Sequence, residues 1–252
     1  MAEHNLHGGG DPTALVTGGA RRIGATLARS LHGAGMRVII HCRRSRSEAD
    51  ALAAEFERER ADSARVVTGD LGDPECCERV ATEAIAAWGR LDVLVNNASS
   101  FYPTPVGAIT PAAFDDLIGS NLRAPAFLAQ AAAPALRESG GAIVNLADIH
   151  GERPLADHPV YCAAKAGLIM LTQSLARDLA PAVRVNAIAP GSILWPEGPG
   201  GDDPATRQAV LDATPLARQG TPDDIAAALL YLVRDAPFVT GQILAVDGGR
   251  GL

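Results

Sequence analysis

Short apolar runs alternate with longer segments of helical spacing along this chain, and this alternation constrains the fold more than any other feature. Strands that alternate with helices of such length are typical of βαβ units and a parallel sheet. The runs lack a polar–apolar alternation, as expected for strands covered on both faces. With right-handed crossovers, the pattern predicts a single-domain α/β fold, a doubly wound (Rossmann-type) parallel seven-stranded sheet with helices on both faces.

The boundaries follow from where each run or helical pattern begins and ends. The predicted strands are Ala14–Thr17, Arg37–His41, Ala64–Thr68, Leu91–Asn96, Ala142–Ala147, Val183–Ile188 and Gln242–Val246. The predicted helices lie near Ile23–Ala34, Ser47–Arg60, Pro74–Trp88, Pro111–Arg137, His158–Leu179 and Pro222–Arg234.

Length and segment composition predict the domain organisation. The 252 residues, 47% of them hydrophobic, suit one large α/β domain or two small ones, and no internal linker or repeat divides them. Residues 1–11 are polar and lack the apolar stretch of a secretory signal, so we expect a flexible leader followed by one domain over 12–252. The Gly- and Pro-rich segment Pro190–Pro204 is expected to be a loop over a ligand crevice.

Charge and cysteine usage argue against several classes of function. A net charge of −7 provides no basic surface for nucleic acid. No apolar run reaches the roughly 18 residues of a membrane span, so no membrane partner is expected. None of the four cysteines forms a C-x-x-C pair, so we expect neither a metal site nor disulfides. A cytoplasmic location is the resulting expectation.

A glycine-rich loop follows the first predicted strand, where Thr17–Gly24 reads TGGARRIG. Glycines at a strand-to-helix turn let backbone N–H groups approach a pyrophosphate at the helix N-terminus. Gly24 would also let the helix pack closely on the strand. The loop therefore predicts a dinucleotide site, and an ordinary glycine-rich turn is the alternative.

The end of the second strand indicates which dinucleotide binds. Sites for NAD usually carry an acidic residue there, whereas His41–Ser45 reads HCRRS. Arg44 and Ser45 suit the 2′-phosphate of NADPH, through charge-assisted hydrogen bonds. A solvated basic turn is the alternative.

Polar residues also follow the third and fourth strands, at the edge where such sheets bind ligands. The pair Asp70-Leu71 suits an adenine edge, and the small residues of Asn96–Ser99 suit a nicotinamide ribose against the backbone. Asn121 is a candidate anchor for a water or for the surroundings of Lys165. Each signal is weak alone, because Asn and Asp are common at turns.

Tyr161, Lys165 and Asp148 form the candidate catalytic group. Tyr161 and Lys165 are four residues apart and share a helix face, so the ammonium is expected to lower the pKa of the phenol. A tyrosine tuned in this way can deliver a proton near neutral pH. Asp148 follows the fifth strand. An unremarkable tyrosine and lysine on a helix face is the alternative.

Taken together, residues from about Thr13 to Leu252 resemble the short-chain dehydrogenase/reductase family. The resemblance rests on TGGARRIG, Asp70-Leu71, NNAS, Asn121, Tyr161-x-x-x-Lys165, Pro190-Gly191 and the terminal VTGQILAVDGG. It implies a nicotinamide-dependent oxidoreductase and suggests a homotetramer built on the helices that contain Asn121 and Tyr161.

Two departures from the usual family pattern are similar to the pteridine reductase subgroup. Arg22 stands where most members have a third glycine, and Asp148 stands where most have a serine. Together with HCRRS and NNASSFYPTP, they imply an NADPH-dependent reduction of a dihydropteridine or dihydrofolate to the tetrahydro form, as in folate metabolism. The resemblance also implies that Phe101 stacks on the pterin, while Ser99 and Arg22 reach the pterin or the phosphates. A loop aromatic packed on the core is the alternative for Phe101.

The predicted site residues form three sets. The catalytic set is Asp148, Tyr161, Lys165 and Asn121. The cofactor-binding set is Gly18, Arg21, Arg22, Ile23, Gly24, His41, Arg43, Arg44, Ser45, Asp70, Leu71, Asn97, Ala98, Ser99, Lys165, Pro190, Gly191 and Ser192. The substrate-binding set is Arg22, Ser99, Phe101, Asp148 and Tyr161.

Two other functions remain open at this point. One is a reductase of a small ketone or a 3-oxoacyl thioester, although an ionised Asp148 would repel a developing alkoxide. The other is a catalytically silent NADP-binding sensor, which would have no need of Tyr161 as a proton donor.

Overall fold

Seven parallel strands form one sheet in this protein, whose computed structural model describes residues 10–195 and 203–252. The strands are β1 (Thr13–Val16), β2 (Arg37–Cys42), β3 (Ala64–Thr68), β4 (Val93–Asn96), β5 (Ala142–Leu146), β6 (Arg184–Pro190) and β7 (Ile243–Val246). Their order across the sheet is β3-β2-β1-β4-β5-β6-β7. Every neighbouring pair is parallel, which confirms the predicted fold class.

Helices connect the strands and cover the sheet. They are α1 (Arg22–Gly33), α2 (Arg46–Glu59), α3 (Pro74–Ala86), α4 (Pro111–Ile118), α5 (Ala124–Ser139), α6 (Pro159–Leu179), α7 (Pro204–Asp212) and α8 (Pro222–Leu230). Five of these begin with proline, which lacks the N–H that the first helical position leaves unpaired anyway. None of the helices described in these ranges is both long and apolar enough to cross a lipid bilayer.

The core lies on both faces of the sheet, as the apolar strands predicted. All four residues of β1 are fully buried. Because side chains alternate along a strand, Val16 belongs to the layer that contains Leu27 of α1, while Leu15 packs with Leu128 of α5 on the other face.

The strand order changes direction at β1, which has β2 on one side and β4 on the other. In open parallel sheets, ligands bind beyond the carboxyl ends of the strands at such a reversal. The loops that follow β1 and β4 therefore meet at the place where a ligand crevice is expected.

The long helix predicted over Pro111–Arg137 is wrong in one respect, since it is three elements in the structure. A π-helical turn at Gly119–Arg123 separates α4 from α5, and a second π-helical turn, Tyr231–Asp235, follows α8. A π-turn places an extra residue in a helix and often marks a functional site. Strand boundaries lie within two residues of their predicted positions.

Helix α7 was not predicted. Its first residue, Pro204, was taken as the end of the loop Pro190–Pro204, of which residues 196–202 lie outside the described ranges. None of its residues is buried, so it carries no apolar stripe for the helical period to reveal. The sequence does carry a signal for the start of this helix, an aspartate followed by a proline. Asp203 caps the helix by accepting from Thr206 N at 3.0 Å, and Pro204 occupies the first helical position.

Of the predicted leader 1–11, residues 1–9 lie outside the described ranges. Asp11, at its end, lies within salt-bridge distance of Arg37, at 3.7 Å, and of Arg60, at 3.8 Å. Both arginines belong to the region around β2 and α2, so the chain is attached to the domain by this point.

Candidate active site

The glycine loop that joins β1 to α1 is closed as tightly as its sequence predicted. Gly18 has a φ of +59°, a conformation that glycine adopts without strain. A Cβ at Gly24 would lie 2.1 Å from the Gly18 carbonyl oxygen and 2.7 Å from Asn97 Nδ2. No side chain fits there, so Gly24 allows α1 to begin directly against the loop.

Arg22 occupies the other constrained position of this loop. Its φ is +52°, in the left-handed region where a side chain is disfavoured. Its guanidinium donates a 3.0 Å hydrogen bond to the carbonyl oxygen of Trp195, beyond the end of β6. The indole of Trp195 in turn lies under the guanidinium of Arg207 on α7, at 5.1 Å. Arg22 thus connects the two sides of the crevice.

The predicted contact of His41 with a cofactor needs correction, because the imidazole is buried beneath the loop. His41 Nδ1 accepts from Gly18 N at 3.3 Å, and Nε2 lies 3.1 Å from the Gly69 carbonyl oxygen. One neutral tautomer, protonated at Nε2, satisfies both contacts. Burial lowers the pKa of His41 to about 4, which favours that neutral form. His41 therefore holds the loop in place rather than touching a ligand.

Thr17 joins the glycine loop to the loop that follows β4, a role that was not predicted from the sequence. Its hydroxyl accepts from the backbone N–H groups of Asn97 at 2.9 Å and Ala98 at 3.0 Å. Asn97 Nδ2 donates back to the Thr17 carbonyl oxygen at 2.8 Å. The side chain of Asn97 is thus engaged with the glycine loop, and these bonds join the ends of β1 and β4. A threonine at a strand end was the only available signal.

The loops after β1, β2 and β4 surround one cavity of about 440 Å³. Most of its lining belongs to the predicted cofactor-binding set. The lining residues are Gly18, Ala20, Arg21, Arg22, Ile23, Gly24, Cys42, Arg43, Arg44, Ser45, Asn97, Ala98 and Ser99.

The arginines at the edge of this cavity differ in whether they form ion pairs. Arg21 lies 3.8 Å from Glu48, and Arg43 lies 3.7 Å from Asp70. Arg44 is exposed and has no ion pair with any residue in the described ranges. Ser45 precedes α2 as its N-cap residue, and its hydroxyl makes no capping bond. Arg44 and Ser45 are therefore available to an anion at the start of α2.

The predicted pair after β3 divides into an exposed residue and a buried one. Asp70 is exposed and lies beside Arg43. The side chain of Leu71 belongs to the apolar layer that includes Val80 of α3, and only 6% of Leu71 is exposed. The side chain of Leu71 therefore has its place in the core, and the contact of the pair Asp70-Leu71 with an adenine stays a prediction.

Pro190, the last residue of β6, and the two residues that follow it, Gly191 and Ser192, are not among the residues that line the cavity beside the glycine loop. Gly191 N donates to the Val246 carbonyl oxygen at 3.1 Å, and a Cβ at Gly191 would lie 2.7 Å from Asp247 Cβ. Pro190 pairs with Val246 of β7. Ser192 lines a second cavity of about 460 Å³ with Asp247. The structure therefore groups Pro190, Gly191 and Ser192 with β7.

Tyr161, Asp148 and Lys165 are brought together as predicted. The phenol of Tyr161 donates a 2.7 Å hydrogen bond to Asp148 Oδ2. Asp148 Oδ1 accepts from His150 N at 2.9 Å, which fixes the carboxylate just beyond β5. Lys165 lies one turn after Tyr161 on α6, and its Nζ donates to the Leu146 carbonyl oxygen at 2.7 Å. The ammonium is 5.6 Å from the centre of the tyrosine ring.

The expected effect of Lys165 on Tyr161 is corrected by this geometry. Burial raises the pKa of Tyr161 well above its usual value, and the adjacent Asp148 carboxylate raises it further. Burial also lowers the pKa of Lys165 to about 8, against the opposing effect of Asp148. A phenolate beside Asp148 would place two negative charges in contact, which outweighs the more distant ammonium. Tyr161 is therefore held as a neutral phenol, able to donate a proton.

Asn121 lies in the π-helical turn between α4 and α5 and is buried. Its Nδ2 donates to the carbonyl oxygens of Ser100 at 2.9 Å and Leu117 at 3.0 Å, and its Oδ1 accepts from Ser99 Oγ at 2.6 Å. These bonds hold the loop that follows β4. The side chain of Asn121 therefore supports that loop here, and not the surroundings of Lys165 as predicted.

A buried chain of amides and a hydroxyl, also missed from the sequence, fixes α6 on the sheet. Asn96 Nδ2 donates to Asn145 Oδ1 at 2.8 Å, and Asn145 Nδ2 donates to Thr172 Oγ1 at 2.9 Å. Because β4, β5 and α6 each contribute one member, this chain fixes the helix that carries Tyr161 and Lys165.

Phe101 is exposed over 47% of its surface and stands beside the candidate proton donor. Its ring meets that of Tyr161 edge-on, with centroids 4.8 Å apart and an interplanar angle of 77°. The ring of His158 lies parallel to Phe101, also at 4.8 Å, with an angle of 12°. The aromatic ring is therefore not packed into the core, and it stands partly exposed beside Tyr161.

Comparisons with known proteins agree with this arrangement. A family profile described as Enoyl-(Acyl carrier protein) reductase matches residues 18–250. The chain is 39% identical over 246 residues to the granaticin polyketide synthase putative ketoacyl reductase 2 of Streptomyces violaceoruber, covering 96% of both chains. It is 35% identical to Pteridine reductase 1 of Leishmania tarentolae in an alignment 283 positions long, gaps included, again covering 96% of each chain.

A third relative is a 3-oxoacyl-(acyl-carrier-protein) reductase of Staphylococcus aureus, 35% identical over 240 residues, which cover 94% of this chain and 97% of the relative. The similarities span nearly the whole chain and include the glycine loop and the Tyr161–Lys165 helix. Together with the parallel sheet and the site at its switch point, they establish that this chain belongs to the short-chain dehydrogenase/reductase family of nicotinamide-dependent oxidoreductases.

Proposed function

We propose that this protein is an NADPH-dependent reductase of dihydropteridines, of the dihydrobiopterin or dihydrofolate type, producing the tetrahydro form. The observation that carries the proposal is the 2.7 Å hydrogen bond from Tyr161 to Asp148. An ionised carboxylate accepts hydrogen bonds and donates none. Asp148 therefore favours a substrate that presents N–H groups, such as the ring and amino N–H groups of a pterin.

The described residues fit a dinucleotide. Gly18 and Gly24 keep side chains away from the loop, and the cavity beside them ends at Arg44, Ser45 and the N-terminus of α2. These are groups that bind phosphate. The absence of an acidic residue between His41 and Ser45 supports NADPH over NADH.

When bound, NADPH supplies the hydride. The residues of this chain then have separate tasks. Tyr161 holds a proton on its phenol and would deliver it to the ring nitrogen of the C=N bond whose carbon receives the hydride. Asp148 accepts from the N–H groups of the substrate, which reduces the repulsion that a phenolate at Tyr161 would meet. Lys165, positively charged and one helical turn away, stabilises the phenolate left after the proton has moved.

Phe101 supports a flat substrate. Its ring stands 4.8 Å from that of Tyr161 and has 47% of its surface exposed. Aromatic rings stack favourably on flat heterocycles. A pterin on Phe101 would lie within reach of both Tyr161 and Asp148. Ser99 and Arg22, which line the cavity beside the glycine loop, are the polar residues proposed to reach it.

A second candidate is the reduction of a 3-oxoacyl thioester or a small ketone. The similarity to the putative ketoacyl reductase and to the 3-oxoacyl-(acyl-carrier-protein) reductase favours it. Against it stands Asp148, because a carboxylate next to the phenol repels the alkoxide that forms from a ketone. NADPH oxidation with 7,8-dihydrobiopterin, dihydrofolate and a β-keto ester distinguishes the two. Turnover of the β-keto ester alone would overturn the pteridine proposal.

We also propose assembly as a homotetramer through the helices that carry Asn121 and Tyr161. Three apolar side chains on these helices are exposed in the single chain: Phe114 of α4, Phe127 of α5 and Met170 of α6. Exposed apolar residues on neighbouring helices mark association surfaces. Light scattering on the purified protein tests the proposal, and a monomer at micromolar concentration would contradict it.

A further inference from the structure

We propose that His158 is a positioning residue that sets the ring plane of Phe101 for a flat heteroaromatic substrate, an inference that rests on the proposed pteridine reduction. His158 does not reach the reacting atoms in this arrangement. It acts through Phe101, whose ring is the surface on which the substrate would lie.

The first observation is the geometry of the ring pair. The imidazole and the phenyl ring are almost parallel, at 12°, with centroids 4.8 Å apart. Tyr161 contacts the same phenyl ring edge-on at 77°. Phe101 is therefore constrained by a stacked neighbour and by an edge contact, and two such contacts fix both the tilt and the position of a ring.

The second observation is how His158 itself is held. Its Nδ1 lies 2.7 Å from the carbonyl oxygen of Ala156 and donates to it. This bond fixes the plane of the imidazole, because rotation about the Cβ–Cγ bond would break it. His158 is the N-cap residue of α6, yet its side chain makes no capping bond there. The imidazole is thus held in its stacked position on Phe101.

The third observation concerns the other ring nitrogen. Nε2 of His158 is buried and has no hydrogen-bond partner among the described residues. A nitrogen that is closed off in this way has no path for exchanging protons with a substrate. The geometry thus favours an imidazole that orients Phe101 by stacking on it, with its own plane held by one hydrogen bond, over an imidazole that acts as an acid or base.

Phe101 gains most from such support because it lies in a loop. The segment after β4 has no regular secondary structure from Asn97 to Pro105, and Phe101 is among the exposed large apolar residues. An unsupported exposed ring samples several rotamers, and ordering it on binding costs free energy. A ring that is already oriented avoids that cost, so His158 is expected to change substrate affinity more than turnover.

Three substitutions separate the components of the role. His158→Phe keeps a ring and loses the bond to Ala156, His158→Asn keeps a donor near the position of Nδ1 and loses the ring, and His158→Ala loses both. KM and kcat for 7,8-dihydrobiopterin, and the NADPH dissociation constant, are measured in each. We expect His158→Asn and His158→Ala to raise KM roughly three- to tenfold, the effect of losing one aromatic pair. We expect His158→Phe, which keeps a stacked ring but not the bond that fixes its plane, to give a KM between those of wild type and His158→Ala, with kcat and NADPH binding little changed in all three.

A second readout is independent of turnover. With 4-fluorophenylalanine at position 101, the ¹⁹F resonance reports the ring directly. We expect one sharp resonance in wild type, a smaller shift or broadening in His158→Phe, and the largest change in His158→Asn and His158→Ala. Equal spectra in all four proteins would overturn the positioning role, as would a His158→Asn enzyme with wild-type KM or a His158→Phe enzyme that behaves like His158→Ala. Absence of dihydrobiopterin turnover in wild type would instead overturn the proposed function, while the ¹⁹F comparison still decides whether His158 orients Phe101.

Discussion

Tyr161 and Asp148, thirteen residues apart in the chain, share a hydrogen bond of 2.7 Å at the carboxyl edge of the sheet. Their elements differ, since Tyr161 lies in the first turn of α6 and Asp148 follows β5. The bond keeps Tyr161 protonated, because the raised pKa of the phenol results from burial and from the adjacent carboxylate. The pair therefore presents a proton donor and an anionic acceptor side by side.

Removing the phenol oxygen tests Tyr161 as the proton donor. Tyr161→Phe keeps the ring that meets Phe101 edge-on and removes the proton. We expect kcat to decrease by roughly 10²-fold or more, the usual contribution of a positioned acid. NADPH binding should be nearly unchanged, which fluorescence titration checks. Wild-type turnover in this variant would refute the assignment.

Arg44 is expected to determine the choice of cofactor. Arg44→Ala removes a charge-assisted hydrogen bond to the 2′-phosphate, a loss of about 1.5–3 kcal/mol in NADPH binding. NADH lacks that phosphate, so its dissociation constant should not change. Arg137→Ala, at another exposed arginine in the last turn of α5, is the matched control. Equal affinity of the wild type for NADPH and NADH would contradict the prediction.

The conformation of Arg22 predicts a difference between two truncations. Arg22→Ala and Arg22→Gly both lose the bond to Trp195, but only alanine keeps a Cβ at a φ of +52°. We expect Arg22→Gly to be the more stable of the two by about 1 kcal/mol, because glycine adopts the left-handed region without strain. Chemical denaturation measures the difference. Equal midpoints, or a more stable alanine variant, would show that the backbone at this position is not strained.

His41 predicts how stability depends on pH. Its pKa is about 4 in the folded protein, against a usual value of 6.5, because it is buried as the neutral imidazole. Between these two values the unfolded chain binds a proton that the folded protein excludes, so stability decreases as the pH falls from 6.5 towards 4. The difference in pKa corresponds to a loss of about 3 kcal/mol across this window.

His41→Asn is the comparison for that prediction, because asparagine keeps a short polar side chain and does not titrate. The unfolding free energy is measured at several pH values in both proteins. His32 titrates in both, so the difference between their slopes isolates His41. We expect a shallower slope in His41→Asn, and identical slopes would assign the pH dependence to other groups.

The sheet was predictable because each strand carries its own apolar run and its neighbours in the chain are helices. The π-turn at Asn121 was not, because a single extra residue in a helix leaves no periodic signal. Helix α7 was missed because it buries no residue and so shows no apolar stripe.

The site was predictable where one residue type has one use. Gly24 is an example, since only glycine fits against the Gly18 carbonyl oxygen. The burial of His41 and Leu71 was not predictable, because the sequence places them at or after strand ends without saying which way each side chain points. The pKa of Tyr161 was also misjudged, because Lys165 is visible from the helix spacing whereas contact with Asp148 depends on the tertiary structure. The homotetramer remains a prediction.

The most direct test of the account is the substrate preference that Asp148 imposes. The measurement is kcat/KM for 7,8-dihydrobiopterin and for a simple ketone in the wild type, Asp148→Ser and Asp148→Asn. We expect the wild type to prefer the dihydropterin, Asp148→Ser to lose much of that activity and gain weak ketone reduction, and Asp148→Asn, which keeps the shape without the charge, to lose dihydropterin turnover as well. A wild type that prefers the ketone, with dihydropterin turnover unaffected by Asp148→Ser, would contradict the account and favour a general carbonyl reductase.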